Sequence, residues 1–88
     1  MALDDTLKER GSRYGTFADN AAISQDLKKV MQASPNWSRL RPSQREALDV
    51  ISSKISRVLT GDPEYADNWE DIAGYAVLVK KELDHAGE

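Results

Sequence analysis

The sequence predicts an all-α fold, a small bundle of three to four helices built on one long antiparallel hairpin. Apolar residues recur at intervals of three and four positions, as on one face of a helix, and no segment alternates with period two over more than four residues. Glycine and proline interrupt these patterns at few places, which we interpret as helix ends. The 88 residues have the length of a single domain, in which we expect 1–15 and 84–88 to be weakly ordered.

The first helix is expected over about residues 20–33. Asp19 or Asn20 could cap its start, and Pro35 ends it because the residue before a proline avoids the α region. One face of this helix carries four apolar residues, Ile23, Leu27, Val30 and Met31.

The second helix is expected over about residues 42–60. Ser43, with Glu46 three positions later, fits a capping box at its start. Gly61 stands where a left-handed C-cap is wanted, and Pro63 follows it. The apolar stripe of this helix consists of Leu48, Ile51, Ile55, Val58 and Leu59.

The third helix is expected over about residues 65–83. Asp67 and Glu70 form a second possible capping box near its start. Because only about five residues separate it from the helix before, the two must pack as an antiparallel hairpin. Its apolar stripe consists of Trp69, Ile72, Ala76, Val79 and Leu83.

Apolar residues also lie outside these two stripes, namely Ala47, Val50, Ala73, Val77 and Leu78. One shorter helix and an N-terminal segment cannot cover both open sides of so long a hairpin, so some of these residues would stay exposed in a monomer. We therefore expect a homodimer, in which a two-fold copy of the hairpin completes a four-helix bundle. The alternative is a three-helix monomer that Trp37 and the N-terminal segment close.

Five polar residues are expected to meet across the hairpin. Asp67, Asp71 and Tyr75 follow one side of the third helix. Antiparallel pairing brings Arg57 near the level of Asp67 and Asp71, with Lys54 slightly further along. In one interpretation they form ion pairs that set the register of the hairpin, with Arg57 bound to Asp67 or Asp71. In another, Asp67 and Asp71 hold a divalent cation and the basic pair meets a phosphate. The third interpretation is a surface cluster without a role.

Gly74 interrupts the third helix and costs about 1 kcal/mol relative to alanine. With Ala73 and Ala76 beside it, it predicts close approach of another helix. The alternative is a ligand that lies against the backbone.

Composition and charge exclude several classes of protein. The chain has no cysteine and one histidine, which rules out disulfides and thiolate metal sites. The net charge is −3, and residues 45–88 hold ten acidic against five basic side chains, which argues against nucleic-acid binding. We find neither a membrane-spanning apolar run nor a secretion signal, so a cytoplasmic location is expected.

A set of motifs resembles small phage and prophage proteins that are known only as a domain of unknown function. The motifs are Tyr14-Gly15-Thr16-Phe17, Lys54-Ile55-Ser56-Arg57, Gly61-Asp62-Pro63 and Asp67-Asn68-Trp69-Glu70-Asp71-Ile72-Ala73-Gly74-Tyr75-Ala76. The resemblance covers about residues 10–83, and the last motif is its most specific part. It implies a phage or prophage origin and action in the host cytoplasm.

More distantly, the hairpin is similar to that of MazG-like nucleoside triphosphate pyrophosphohydrolases, which are all-α enzymes. Those enzymes bind Mg²⁺ between a Glu-x-x-Glu motif and a later acidic pair on facing helices. The resemblance implies that Asp67 and Asp71 stand for the later pair, at a spacing of four rather than three. In the position of the first pair this chain has Lys54 and Arg57.

Three functions therefore compete, of which the third, a structural part of the virion, has no feature of the sequence in its favour. The first is a non-catalytic helical module without a cofactor, which binds a partner such as a basic patch of a host protein, or an acidic or nucleotide ligand. The alternative is a Mg²⁺-dependent pyrophosphohydrolase that completes its acidic site across a dimer. The sequence holds no nucleophile–base pair and no phosphate-binding glycine loop, and this favours the binding module.

Overall fold

The structure, a computed structural model, describes residues 15–86 and Leu3, and it confirms the all-α fold. The described residues form three α-helices and one short 3₁₀ turn. These are α1 (Phe17–Gln32), the 3₁₀ turn (Trp37–Arg39), α2 (Pro42–Thr60) and α3 (Ala66–Ala86). The expectations for the N-terminal segment up to residue 14 and for residues 87–88 lie outside the described residues. None of the described helices is long and apolar enough to cross a membrane.

The helix α2 lies between α1 and α3 and packs against both. Asn20 and Ser24 of α1 bond in reverse order to Ser56 and Ser53 of α2, so these two helices are antiparallel. The hairpin of α2 and α3 is antiparallel as well, as expected from its short connection. Within the described part of the chain, no comparable packing joins α1 to α3. The three helices therefore form an open bundle with α2 at its centre.

The start of α1 differs from the expectation. The helix begins at Phe17, and Thr16 is its cap, because the Thr16 hydroxyl accepts a hydrogen bond from the Asp19 amide at 3.2 Å. The assignment of the cap to Asp19 or Asn20 was therefore wrong. Asn20 lies inside the helix, where its side-chain oxygen accepts a hydrogen bond from the Ser56 hydroxyl instead.

The capping box expected at the start of α2 was also wrong. The helix already begins at the proline before Ser43, so Ser43 lies within the first turn. The Arg41 amide donates to the Gln44 side-chain oxygen at 2.9 Å, so Gln44 rather than Glu46 caps the start of α2. Ser43 is used across the hairpin, where its hydroxyl donates to Glu82 Oε2 at 2.5 Å.

The connection between α2 and α3 lacks both cap geometries expected there, the left-handed C-cap at Gly61 and the capping box that begins at Asp67. Gly61 ends α2, but its φ is −114°, outside the left-handed region, and its amide donates to the Arg57 carbonyl at 2.8 Å. Asp67 is the second residue of α3 rather than its cap. Its charge lies in the first turn, where the helix dipole favours an acid.

The interior of the described residues is small and largely polar. Ala47 is the one fully buried hydrophobic residue among them, with 4% of its surface exposed. The other buried residues are Ser24, Ser52, Ser56 and Asn68. Hydroxyl groups line the contact between α1 and α2, where Ser53 binds Ser24 at 3.3 Å and the Lys28 ammonium at 3.1 Å. The apolar stripes of the hairpin are therefore not enclosed by α1.

Candidate interaction site on the helical hairpin

The structure brings two of the five expected polar residues together across the hairpin. Lys54 Nζ lies 2.7 Å from Asp71 Oδ2, with 17% of the lysine side chain and 47% of the aspartate side chain exposed. Asp67, one turn earlier on α3, accepts a hydrogen bond from the Tyr65 hydroxyl at 3.2 Å. The ion pair joins the middle of α2 to the second turn of α3, so it supports the expected role in register.

The other members of the expected cluster take different positions. Tyr75 lines a cavity further along the hairpin, together with Ala47 and Glu82. Arg57 is half-buried on α2, and its pairing with Asp67 or Asp71 stays a prediction.

A double-mutant cycle should measure the ion pair. We expect Lys54→Met and Asp71→Asn to show a coupling energy of about 0.5–1 kcal/mol, because the lysine is largely buried but the aspartate is half exposed. Urea unfolding at low and high salt would measure it, and the coupling should fall as salt rises.

The matched control is the exposed pair of Lys80 and Asp84 within α3, whose charged atoms are 2.6 Å apart. Its coupling should not exceed about 0.5 kcal/mol. An equal or smaller coupling for the cross-hairpin pair would contradict a role in register.

The residues proposed for a metal, Asp67 and Asp71, lie one turn apart on α3. Among the described residues, no group of three or more His, Asp and Glu side chains could hold a metal ion. Asp71 instead has the Lys54 ammonium as its counter-charge. Metal binding by this pair stays a prediction from the sequence.

The hairpin also carries a surface of exposed hydrophobic side chains, which we call the open apolar face. Both stripes open to the same side, because Leu48 of α2 and Ala76 of α3 line one cavity of about 300 Å³. On this face Leu59 is 64% exposed and Trp69 is 53% exposed. The open apolar face consists of Leu48, Ile51, Ile55 and Leu59 of α2 with Trp69, Ile72, Ala76 and Leu83 of α3.

The large aromatic residue of the open apolar face is held in place by its polar edge. Trp69 Nε1 donates to the Pro63 carbonyl at 2.9 Å, which fixes the indole beside the connection between the two helices. Half of the ring system remains exposed. A tryptophan anchored at one edge and exposed at the other is typical of a binding surface.

Gly74 corrects an expectation. A Cβ atom placed on Gly74 would meet no atom within 4 Å, and the residue is exposed. The prediction of a tight helix–helix contact at this glycine is therefore wrong for this chain. Ala76 does line the cavity between α3 and α2, but Gly74 lies two positions earlier, about 200° away around the helix.

Replacement of this glycine should stabilise the protein. We expect Gly74→Ala to raise the free energy of unfolding by about 0.5–1 kcal/mol, because alanine restricts the unfolded chain and meets no atom in the folded one. Urea denaturation followed by circular dichroism would measure this. A loss of stability would indicate that another molecule lies against the Gly74 backbone.

A second cavity, of about 340 Å³, lies on the other side of the hairpin contact. Leu78 of α3 lines this cavity, whereas Ala76 lines the first one. These two residues are two positions apart, which corresponds to about 200° around a helix, so they point to opposite sides of α3. Its lining consists of Ser43, Glu46, Ala47, Tyr75, Leu78, Val79 and Glu82, and we call it the acid-rimmed cavity.

Several residues of these surfaces were not identified from the sequence as site residues. Glu46 was assigned to a cap, and Glu82 was not considered. Glu82 follows Tyr75 by seven positions, a spacing that places both on one side of a helix and could have drawn attention to it. Asn68, 1% exposed and with no hydrogen-bond partner for either side-chain polar atom, carries no such pattern.

Comparison of the chain with family models, with curated proteins and with solved structures finds no match. The resemblances to phage proteins and to MazG-like enzymes thus stay predictions from the sequence.

Proposed function

We propose that this chain is a phage-type helical binding module of the host cytoplasm, which acts through protein contacts and self-associates as a homodimer. The observation that supports the proposal is the open apolar face. It holds the residues whose spacing is typical of a protein core, yet Leu59, Trp69 and Leu83 are each about half exposed or more.

The energetics favour a partner on this face. A small domain is marginally stable even when its core is complete, and here the buried hydrophobic core of the described residues is one alanine. Full burial of a leucine-sized side chain stabilises by about 1.5–3 kcal/mol, so each half-exposed side chain of the face has about 1 kcal/mol still to contribute. A symmetric dimer would gain each contribution twice.

The pattern of the face suits a second copy of the same chain. Trp69, Ala76 and Leu83 recur every seven residues on α3, as Leu48 and Ile55 do on α2, which is the repeat of helices that pack side by side. The eight residues that define the face are apolar, so contacts among them bring no like charges together, although each chain has a net charge of −3. Lys80, on the same side of α3, has its charge paired with Asp84.

Of the residues expected to lie outside the stripes, Ala47 is buried, whereas Val77 and Leu78 are exposed. Val77 and Leu78 are thus exposed as expected for a single chain, but they lie outside the open apolar face. We place the proposed contact on the open apolar face because exposed apolar residues of both helices lie together there.

Light scattering tests the self-association. From low micromolar to several hundred micromolar protein, we expect a mass that rises towards twice that of the 9.8 kDa chain. The mass of one chain at every concentration would overturn the homodimer. Release of pyrophosphate from nucleoside triphosphates with Mg²⁺ would overturn the non-catalytic assignment.

A further inference from the structure

The acid-rimmed cavity is large enough to accommodate one long side chain. Its volume of about 340 Å³ is at the lower end of the range of about 300–1,000 Å³ that small-molecule sites span. It lies between α2 and α3, and the small, buried side chain of Ala47 lines it. Leu78, at its edge, is 59% exposed.

The floor and the rim of this cavity differ in chemistry. Ala47 and Val79 supply an apolar floor, while the exposed residues Glu46 and Glu82 supply carboxylates at the rim. The Tyr75 ring adds an aromatic surface beside them. An apolar floor with acids at its mouth fits an aliphatic stem that ends in a cation, and an aromatic ring adds attraction for that cation.

Within the described residues, neither carboxylate at the rim has a cationic partner. Glu82 accepts a hydrogen bond from the Ser43 hydroxyl through Oε2, which positions the group but does not neutralise it. Within the described residues, the ion pairs are those of Lys54 with Asp71 and of Lys80 with Asp84, and neither includes Glu46 or Glu82. The acidic excess of residues 45–88 would attract a basic segment to the hairpin as a whole.

We propose that the acid-rimmed cavity binds an arginine side chain of a partner protein. The inference rests on the proposed function as a binding module and names the chemistry of its partner. The arginine stem packs on Leu78 and Val79, and the guanidinium meets Glu46 and Glu82. Arginine fits better than lysine because its planar group can stack on a ring and bind carboxylates through two parallel hydrogen bonds.

Titration of the ¹⁵N-labelled protein with the peptide acetyl-Gly-Arg-Gly-amide tests the proposal. We expect shifts of the amide signals of Ala47, Tyr75 and Val79 at millimolar peptide. The matched peptide with citrulline, a neutral analogue of arginine, should bind about tenfold more weakly, since it lacks the charge. Equal binding of the two peptides, or no shifts of the signals of residues that line the cavity, would overturn the proposal. A third peptide, with lysine in place of arginine, should bind more weakly than the arginine peptide, and tighter binding of it would also overturn the proposal.

A pair of variants separates the cavity from general electrostatic attraction. Glu46→Gln should lower the affinity for the arginine peptide about tenfold, since it removes one charged acceptor. The matched control is Glu70→Gln, which removes the same charge from an exposed residue of α3 outside the cavity. It should change the affinity for the arginine peptide by no more than about twofold. Equal effects of the two variants would overturn the assignment.

Light scattering on the same samples keeps the two proposals apart. A dimer that does not bind the arginine peptide would overturn the cavity proposal alone. A monomer that binds it at the cavity would overturn the homodimer alone.

Discussion

Gly15→Ala is expected to lower the free energy of unfolding by about 2–4 kcal/mol, the largest effect of any single methyl group that we expect in this chain. Gly15 has a φ of +76°, a conformation that costs an L-residue about 1–2 kcal/mol. An added Cβ would also overlap the Thr60 carbonyl oxygen and lie 2.8 Å from the Thr60 Cβ. Because the last turn of α2 is the obstacle, the strain cannot be relieved by rotation of a side chain.

Urea denaturation at one fixed protein concentration measures this effect, since the stability of an associating protein depends on its concentration. The matched control is Gly74→Ala, the same change at a glycine with open space around it, for which we expect the opposite sign. A difference of less than about 0.5 kcal/mol between the free energies of unfolding of the two variants would contradict the close packing of Gly15 against Thr60.

Leu83→Lys should weaken the homodimer by a factor of roughly 100 or more, because it places a charge within an apolar contact. Leu83 is 48% exposed in the single chain and belongs to the open apolar face. The lysine would remain solvated in the monomer, so the fold of the chain should survive the change. The free energy of unfolding should become independent of protein concentration.

Val77→Lys is the matched control on the same helix. Val77 is 47% exposed, but it lies six positions before Leu83, about 120° away around α3. Light scattering should show a dimer for this variant and a single chain for Leu83→Lys at the same concentration. Dissociation of both variants, or of neither, would contradict association through the open apolar face.

Helix positions were predictable from the sequence because local signals determine them. The stripe from Leu48 to Leu59 and the breaks at Gly61 and Pro63 placed α2 at 42–60, where the structure has it. The third helix, expected over 65–83, spans Ala66–Ala86. The capping residues were less predictable, since a shift of one residue in the start of a helix changes which side chain can reach the free amides.

The candidate sites were only partly predictable. The antiparallel register predicted that basic residues of α2 would lie near Asp67 and Asp71, with Arg57 as the expected partner, but the structure pairs Lys54 with Asp71. The acid-rimmed cavity could not be expected from the sequence, because it depends on the separation of α2 and α3 at the residues that line it, such as Ala47 and Val79. Spacing along each helix carries no information about that separation.

By itself, the sequence determined that the chain is all-α, where its long helices lie, and that α2 and α3 form a hairpin with an apolar stripe on each helix. Which surfaces remain exposed was decided only by the tertiary structure. Helical periodicity shows that Leu59 and Leu83 share a side with other apolar residues, but it cannot show what covers that side. In the structure α1 packs on α2 through hydroxyl groups such as those of Ser24 and Ser53, and so leaves the open apolar face exposed.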